Sequence, residues 1–533
     1  MQSPLNENSN PSAEAFRIMQ AARARSDAKE YRRRLMQGLG RPIISTEVQG
    51  YRFVAVGPQL LHKKSDKWRT FHDFLFEYIR TVLTPEWGNT ELRKEPGQRH
   101  PILQWYQKLC AFQKANSLER DGIYTGTMTG SIKAYITLAY DLYLCAHNAK
   151  LLPLLVKRLK NPKNFEGALY ETFVLGSFVK AGFEIEMEEE DDSTTAHCEF
   201  IATHPETGRK FSVEAKAVTS ESKRAGATPD PPRIREKIYR ALEKNLPHER
   251  IIFIELNRAQ TISDGVPDWV SFIDADIMDA EKTLTISGAP PPPAYIVVTN
   301  RTHLHNLDAP AEVEVMVACG FKIDDFAPRT PRRILEMAEA RERHIELHWL
   351  MQAAERHAHI PSTFDDRTEE EAFHNNGMAS NTPRIGDKLQ VQDERGNVVN
   401  GVVADGIVDR IQGKAFYGIN LENGRWFTLP KDLSESELAI YDSSPDTFFG
   451  VVRPVSKGIK RPLDAFDFVH EAHKHTPREK LLELMSSWPD PDGRKELSQE
   501  ELARLYSATM ADTIIAQDPQ FRAATLRPTA NNE

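Results

Sequence analysis

Two short runs constrain this chain more than any other feature: Ile251-Ile252-Phe253-Ile254-Glu255-Leu256 and Ala294-Tyr295-Ile296-Val297-Val298. Successive side chains on a strand point to opposite faces, so a strand that is apolar at every position has two dry faces. Strands of that kind belong in the middle of a sheet covered by helices on both sides. The neighbouring stretches fit such a sheet. A helical pattern runs from Phe165 to Ala181 and stops at Gly182, a residue suited to a helix C-terminus. Strand-like runs follow at Phe183–Met187, Cys198–Ala202 and Phe211–Val218. Then comes an amphipathic helix, Pro232–Leu246, with Ile234, Ile238, Ala241 and Leu242 on one face. The order predicts an α/β domain with a mixed sheet over residues 164–330.

At 533 residues the chain has room for several cores. Residues 1–60 read as a polar and basic N-terminal segment, with Arg17, Arg23, Arg25, Arg32, Arg33, Arg34 and Arg41 on a solvated helix or arm. Residues 61–163 read as a helical domain, because Phe71, Phe74, Leu75, Tyr78 and Ile79 fall at three-to-four spacing. Its aromatics, among them Trp105, Tyr106, Tyr135, Tyr140 and Tyr143, are expected in the core. Residues 331–364 form a strongly charged helix and 365–383 an acidic, then Asn/Ser-rich, linker. Short strands with tight glycine turns over 384–445 predict a small SH3-like β-barrel, and 460–517 is again helical.

Composition excludes some functions. The formal net charge of −9 argues against a protein that coats nucleic acid nonspecifically, though not against a local basic surface. The four cysteines, Cys110, Cys145, Cys198 and Cys319, include no CxxC pair, so a disulfide framework and a zinc ribbon are not expected and a reducing cytoplasm is. The polar start MQSPLNENSNPSAEAF is not read as a signal peptide, and no apolar stretch approaches a membrane span, so no membrane partner is expected.

The chemistry-bearing run is Val213-Glu214-Ala215-Lys216-Ala217. On a strand Glu214 and Lys216 share one face, roughly 6–7 Å apart, while Phe211, Val213, Ala215 and Ala217 take the other. A carboxylate and an ammonium on one side of an apolar strand need a reason, and metal-dependent phosphodiester chemistry supplies one. Alone, the three-residue pattern carries no weight and a chance surface pair would explain it. Two more acids give it company: Glu171 on the preceding helix and Glu199 on the preceding strand.

Residues 164–300 resemble the PD-(D/E)XK nuclease superfamily, with its restriction-endonuclease-like fold. The resemblance rests on Gly167-Ala168-Leu169-Tyr170-Glu171, on Ala181-Gly182-Phe183 closing that helix, and on Glu214-Ala215-Lys216. It implies an α/β fold with a restriction-endonuclease-like mixed sheet core flanked by helical domains. It also implies a Mg²⁺- or Mn²⁺-dependent nuclease acting on nucleic acid, with DNA expected ahead of RNA, in a setting such as defence or repair. By the same resemblance Glu199, Glu214 and the Ala215 carbonyl would be metal ligands, Glu171 a direct or outer ligand, and Lys216 catalytic. Glutamate stands at 199 where the family usually has aspartate, and Arg235 stands where some members carry glutamine, four residues before Tyr239. Arg233, Arg235 or Lys237 could then touch a phosphate. The competing expectation is a catalytically inactive nuclease-fold scaffold that binds nucleic acid or protein. Protein partners would come through the β-barrel or the helical domains.

Lesser features stay with bland readings. His344-Ile345-Glu346-Leu347-His348 spaces two histidines one helical turn apart, and a solvated face is expected there rather than a metal pair. Cys198 is expected in the core, the acidic run Glu184–Asp192 in a solvated turn, and Pro290–Pro293 as a stiff connector. No phosphate-loop pattern occurs.

Overall fold

The structure is a computed structural model. It describes residues 11–116, 118–120, 123–149, 153–187, 198–218, 234–260, 262–263, 266–312, 314–327, 332–357, 359–365, 382–392, 396–452, 459 and 461–517. Arg233, the linker expected at 365–383 beyond Asp365 and before Thr382, and the acidic run beyond Met187 lie outside them.

The first 160 residues hold both helix and sheet. Helix α1 spans Pro11–Gln37, followed by an antiparallel meander of β1 (Ser45–Val48), β2 (Tyr51–Val56) and β3 (Gln59–Lys64). Helices α2 (Phe71–Leu83), α3 (Pro85–Leu92), α4 (Pro101–Asn116), α5 (Gly130–Asn148) and α6 (Pro153–Leu159) come next, with a hairpin of β4 (Leu118–Arg120) and β5 (Ile123–Thr125) between α4 and α5. The meander begins in the segment read as polar and basic, and β3 runs on into the stretch read as helical. Its inward residues Val54 and Val56 are buried, while Arg52 shares their face and the lysines of β3 follow, which hides the strand pattern. Helix α2 starts where its sequence dictates: Thr70 and Asp73 bond each other's backbone amides in a capping box, a device that satisfies two otherwise orphaned donors.

Helix α7 (Phe165–Lys180) opens the α/β region, and the predicted stop is real: Gly182 takes φ +86° and its amide bonds back to the Val179 carbonyl. The chain continues as β6 (Glu184–Met187), β7 (Phe200–Thr203), β8 (Lys210–Ala217), α8 (Arg235–Leu242) and β9 (Glu249–Glu255). A two-stranded hairpin of β10 (Ile262–Ser263) and β11 (Val266–Pro267), α9 (Val270–Thr283), β12 (Ala294–Asn300) and β13 (Val315–Phe321) complete it. The sheet order is β13-β12-β9-β8-β7-β6. Strands β8, β9 and β12 are parallel, and the remaining pairings are antiparallel. The two doubly apolar runs are β9 and β12, in the interior of the sheet as their patterns require.

Each sheet face has its own core. Phe200, Phe211, Val213, Ile251, Phe253, Tyr295 and Val297 pack under α7, with α5 and α2 behind it, in one continuous apolar cluster. The helices of 61–163 therefore share a core with the sheet. On the opposite face Ile252, Ile254, Ile296 and Val298 pack under α8 and α9. Burying a side chain of this size stabilises by about 1.5–3 kcal/mol, so both layers are held firmly.

Two helices, α10 (Ile334–Arg343) and α11 (Ile345–Glu355), stand where a single charged helix was predicted. The break falls at His344, which is buried between the Tyr295 hydroxyl (3.0 Å) and Asp325 (2.9 Å). The His344/His348 pair thus faces aromatic core, not solvent, with His348 against Phe326. Further on, β14 (Lys388–Gln392), β15 (Val398–Asp409), β16 (Lys414–Leu421) and β17 (Trp426–Asp432) form an antiparallel meander curled into a half-barrel. Helices α12 (Glu435–Ser443), α13 (Pro462–His473), α14 (Arg478–Leu484), α15 (Pro491–Glu496) and α16 (Gln499–Gln517) close the described chain. No described helix is long and apolar enough to cross a membrane.

The N-terminal helix keeps Arg23, Arg25 and Arg34 exposed, as expected of a solvated helix, yet several of its side chains bond to the C-terminal half of the chain. Arg25 pairs with Asp387 at 2.7 Å, the Tyr31 hydroxyl donates to Asp446 at 2.9 Å, and Arg32 donates to Thr447 at 3.0 Å. These bonds clasp α1 to the start of the curled sheet and to the turn after α12.

Candidate functional site

Strand parity builds the site. Because Phe211 and Val213 point into the α7 core, Ser212, Glu214 and Lys216 must point to the α8 side. Glu199 comes immediately before β7, and its amide donates to the Val213 carbonyl at 3.0 Å, which holds it against β8. Phe200 packs under α7 and Glu199 takes the other face, beside Glu214.

There the two carboxylates meet one ammonium. Lys216 Nζ lies 2.6 Å from Glu214 Oε2 and 3.3 Å from Glu199 Oε1. Glu214 is wholly buried, whereas the Glu199 and Lys216 side chains keep about a fifth of their surface exposed. The Oε2 contact is an ion pair without hydrogen-bond alignment. Burial pulls the Lys216 ammonium down, but Glu199 and Glu214 outweigh it and hold it above its ordinary value. The charged form is therefore the one present at neutral pH.

A residue that no motif pointed to joins them. Lys244, two residues past α8, donates to Glu214 Oε1 at 2.7 Å. Its backbone is held by Arg250 on β9, whose guanidinium donates to the Leu242 carbonyl at 2.8 Å and the Lys244 carbonyl at 2.5 Å. Burial lowers Arg250 from its ordinary value and Glu214 opposes that shift. Arg250 thus caps the end of α8, where carbonyls lack helical partners, and fixes where Lys244 stands. Nothing in the local sequence Glu243-Lys244-Asn245 gives this away. It depends on the tertiary meeting of α8, β8 and β9.

Glu171 is not brought to this group. It lies on α7, in the layer under the other face of the sheet, and Arg158 of α6 grips both of its oxygens at 2.9 and 2.8 Å. Among the described residues no three acid, histidine or cysteine side chains gather into a metal-sized set. Two carboxylates do supply hard oxygens of the kind Mg²⁺ prefers. A third such donor comes from the backbone. Val213 gives its carbonyl to the β7 side, so Ala215, two residues on, presents its own carbonyl to that side, past the last β7 pair. Glu199, Glu214 and Ala215 therefore fit a divalent ion in donor chemistry, with the two ammoniums as its competitors for Glu214.

The residues expected at a phosphate lie elsewhere. Arg235 donates to Asp279 at 2.7 Å and Thr283 at 2.6 Å, which ties it to α9. Lys237, two residues further along α8, is half-buried. Cys198 is buried, as expected, with its thiol on the Phe200 carbonyl at 3.2 Å.

A second polar group sits under α7 at the C-terminal ends of β9 and β12, on the opposite face of the sheet from Lys216. Buried Glu255 accepts from Thr299 Oγ1 at 2.7 Å and from the Arg301 amide at 2.9 Å, and the Tyr170 hydroxyl shares Thr299 at 2.8 Å. Arg301 lies over the Tyr170 ring. Every one of these groups is used in joining α7 to the sheet, which is what such a network does when fully satisfied.

No protein-family model, curated protein or solved structure matches the chain.

Proposed function

We propose that the protein is a metal-dependent nuclease that hydrolyses phosphodiester bonds of nucleic acid, with a PD-(D/E)XK-like site on a restriction-endonuclease-like core. One observation carries this reading: Glu199 and Glu214, arriving on adjoining strands, meet a single charged lysine two residues from Glu214. The order α7, β6, β7, β8, α8, β9 supports it, since a helix, then strands carrying the acids, is the order of elements on which the resemblance rests.

Glu199, Glu214 and the Ala215 carbonyl would hold Mg²⁺ or Mn²⁺, which when bound polarises the phosphate and makes bound water more acidic. Lys216 keeps its proton and can face the negative charge that develops on the phosphate. Glu171, clasped by Arg158 behind the sheet, contributes only through the packing of α7. DNA is the expected substrate ahead of RNA.

Lys244 favours a second reading, a catalytically inactive nuclease-fold scaffold. With Lys216 it already neutralises Glu214, so the acid has no need of a metal. One assay separates the two. Labelled single- and double-stranded DNA and RNA are incubated with Mg²⁺ or Mn²⁺ and with wild type, Glu214→Ala or Lys216→Ala. Metal-dependent cleavage by wild type that falls at least 100-fold in both variants, the range expected for removing one transition-state charge partner, supports the nuclease. Equal rates in all three leave only the scaffold.

A further inference from the structure

The β1–β3 meander buries one face and leaves the other uncovered. Val54 and Val56 enter the core from β2, so Tyr51, Phe53 and Ala55 point outward. The register sets Tyr51 opposite Lys64, Phe53 opposite His62 and Ala55 opposite Leu60. On the other side of β2, Val48 faces Tyr51. Tyr51 is 41% exposed and Leu60 65%, and His62 and Lys64 are also exposed. None of Val48, Tyr51, Phe53 and Leu60 belongs to a buried cluster among the described residues.

Its composition is that of a stacking surface with cations beside it. The Phe53 and His62 rings stack at 5.4 Å, and Tyr51 tilts toward His62 at 6.4 Å. Lys64 has no ion-pair partner among the described residues. Its neighbour Lys63 points inward and pairs with Glu77. Just beyond the meander Lys67 is 64% exposed and only loosely paired with Asp66, at 3.9 Å. In a chain of net charge −9, the segment from Gln59 to Arg69 holds three lysines and an arginine against one aspartate.

We propose that this face binds single-stranded nucleic acid, with bases on Tyr51 and the Phe53–His62 pair and phosphates on Lys64 and Lys67. Single strands suit it because unpaired bases offer their flat faces to aromatic rings, whereas a duplex hides them in its own stack. Tyr51 and Phe53 stand roughly 7 Å apart along β2, which leaves room for one base each. An acidic peptide would use the lysines but leave the rings idle, so charge and aromatic surface together favour the polynucleotide. The binding needs no metal and no cleavage, and so stands apart from the nuclease reading.

The test is fluorescence anisotropy with the full chain, in EDTA, on a labelled oligo-dT and on a duplex of equal length. Wild type should prefer the single strand, with affinity falling as salt rises. Tyr51→Ala should weaken it by roughly 5- to 100-fold, Tyr51→Phe should restore it, and Lys64→Glu should flatten the salt dependence. Thermal melting should place all three variants beside wild type, because these side chains lie on the surface. The proposal fails if Tyr51→Ala binds as wild type does, if the duplex binds as tightly, or if poly-glutamate displaces the oligonucleotide at equal charge. A protein that cuts but whose Tyr51→Ala variant binds normally loses this proposal alone. One that binds here but never cuts loses only the nuclease.

Discussion

Glu214 is the residue on which the candidate site turns, and its cost is set by burial. An ionised carboxylate without surface in water needs its charge met, and here Lys216 and Lys244 meet it from two sides. Removing either lysine leaves a buried charge half-compensated. The Lys244 side chain is 29% exposed, so solvent softens the loss, and Lys244→Met should lower the unfolding free energy in EDTA by about 1–2 kcal/mol. The same change vacates one oxygen of Glu214. If the site takes a divalent ion, Lys244→Met should bind Mn²⁺ more tightly than wild type in isothermal titration, despite being the less stable protein. A variant that loses stability and gains no Mn²⁺ affinity would mark Lys244 as a purely structural counter-ion. Arg250→Ala should raise Mn²⁺ affinity less than Lys244→Met does, since that residue reaches Glu214 only through the Lys244 backbone, and it should cost stability of its own by uncapping the end of α8.

Elements explain what could be read in the sequence and what could not. Helix α7, strands β8, β9 and β12 and the parity of β8 follow from local rules: period, apolar runs and a glycine stop. Those rules alone suffice to put Glu214 and Lys216 on one face. Glu171 could not be placed in this way, because the face that α7 covers is a property of the sheet, and a helix pattern alone does not say which side of that sheet it lies on. The β1–β3 meander was hidden for a similar reason. Its outer face is aromatic and basic, so strand alternation reads as a polar stretch. Close packing between helices is equally silent in sequence. Gly176 of α7 sits where an added Cβ would meet Asp141 Oδ1 at 2.7 Å and His357 Cε1 at 2.9 Å. Alanine normally gains about 1 kcal/mol over glycine inside a helix, but overpacking a core costs about 1–3 kcal/mol. The second effect wins because Asp141 and His357 are themselves locked in a buried 2.5 Å pair. Gly176→Ala should therefore destabilise by about 1–2 kcal/mol in urea titration, and a gain would mean that this pair can slide aside.

At the scale of the whole molecule, Lys180 joins three distant parts of the chain. From the last turn of α7 its Nζ donates to the Arg356 carbonyl at 2.9 Å and the His359 carbonyl at 3.2 Å, beyond α11. Its own carbonyl accepts from Leu39, just after α1. Burial pulls the ammonium from 10.5 to about 7, with Asp141 opposing and Arg356 assisting. The sign follows from proton counting. Between those two values the unfolded chain holds a proton on Lys180 that the folded chain has released, so stability rises with pH across that window. As pH falls from 10.5 to about 7 this contribution is lost, and below about 7 the group is charged in both states and adds no further slope. Lys180→Met removes the titration but also leaves the two carbonyls without their donor at every pH, a constant offset. The difference between wild type and variant should therefore grow in favour of wild type by about 3 kcal/mol when urea unfolding is compared at pH 7 and pH 9.5. A gap that stays constant between the two pH values would show that Lys180 keeps its proton in the fold and that the junction of α1, α7 and α11 is wetter than its packing implies.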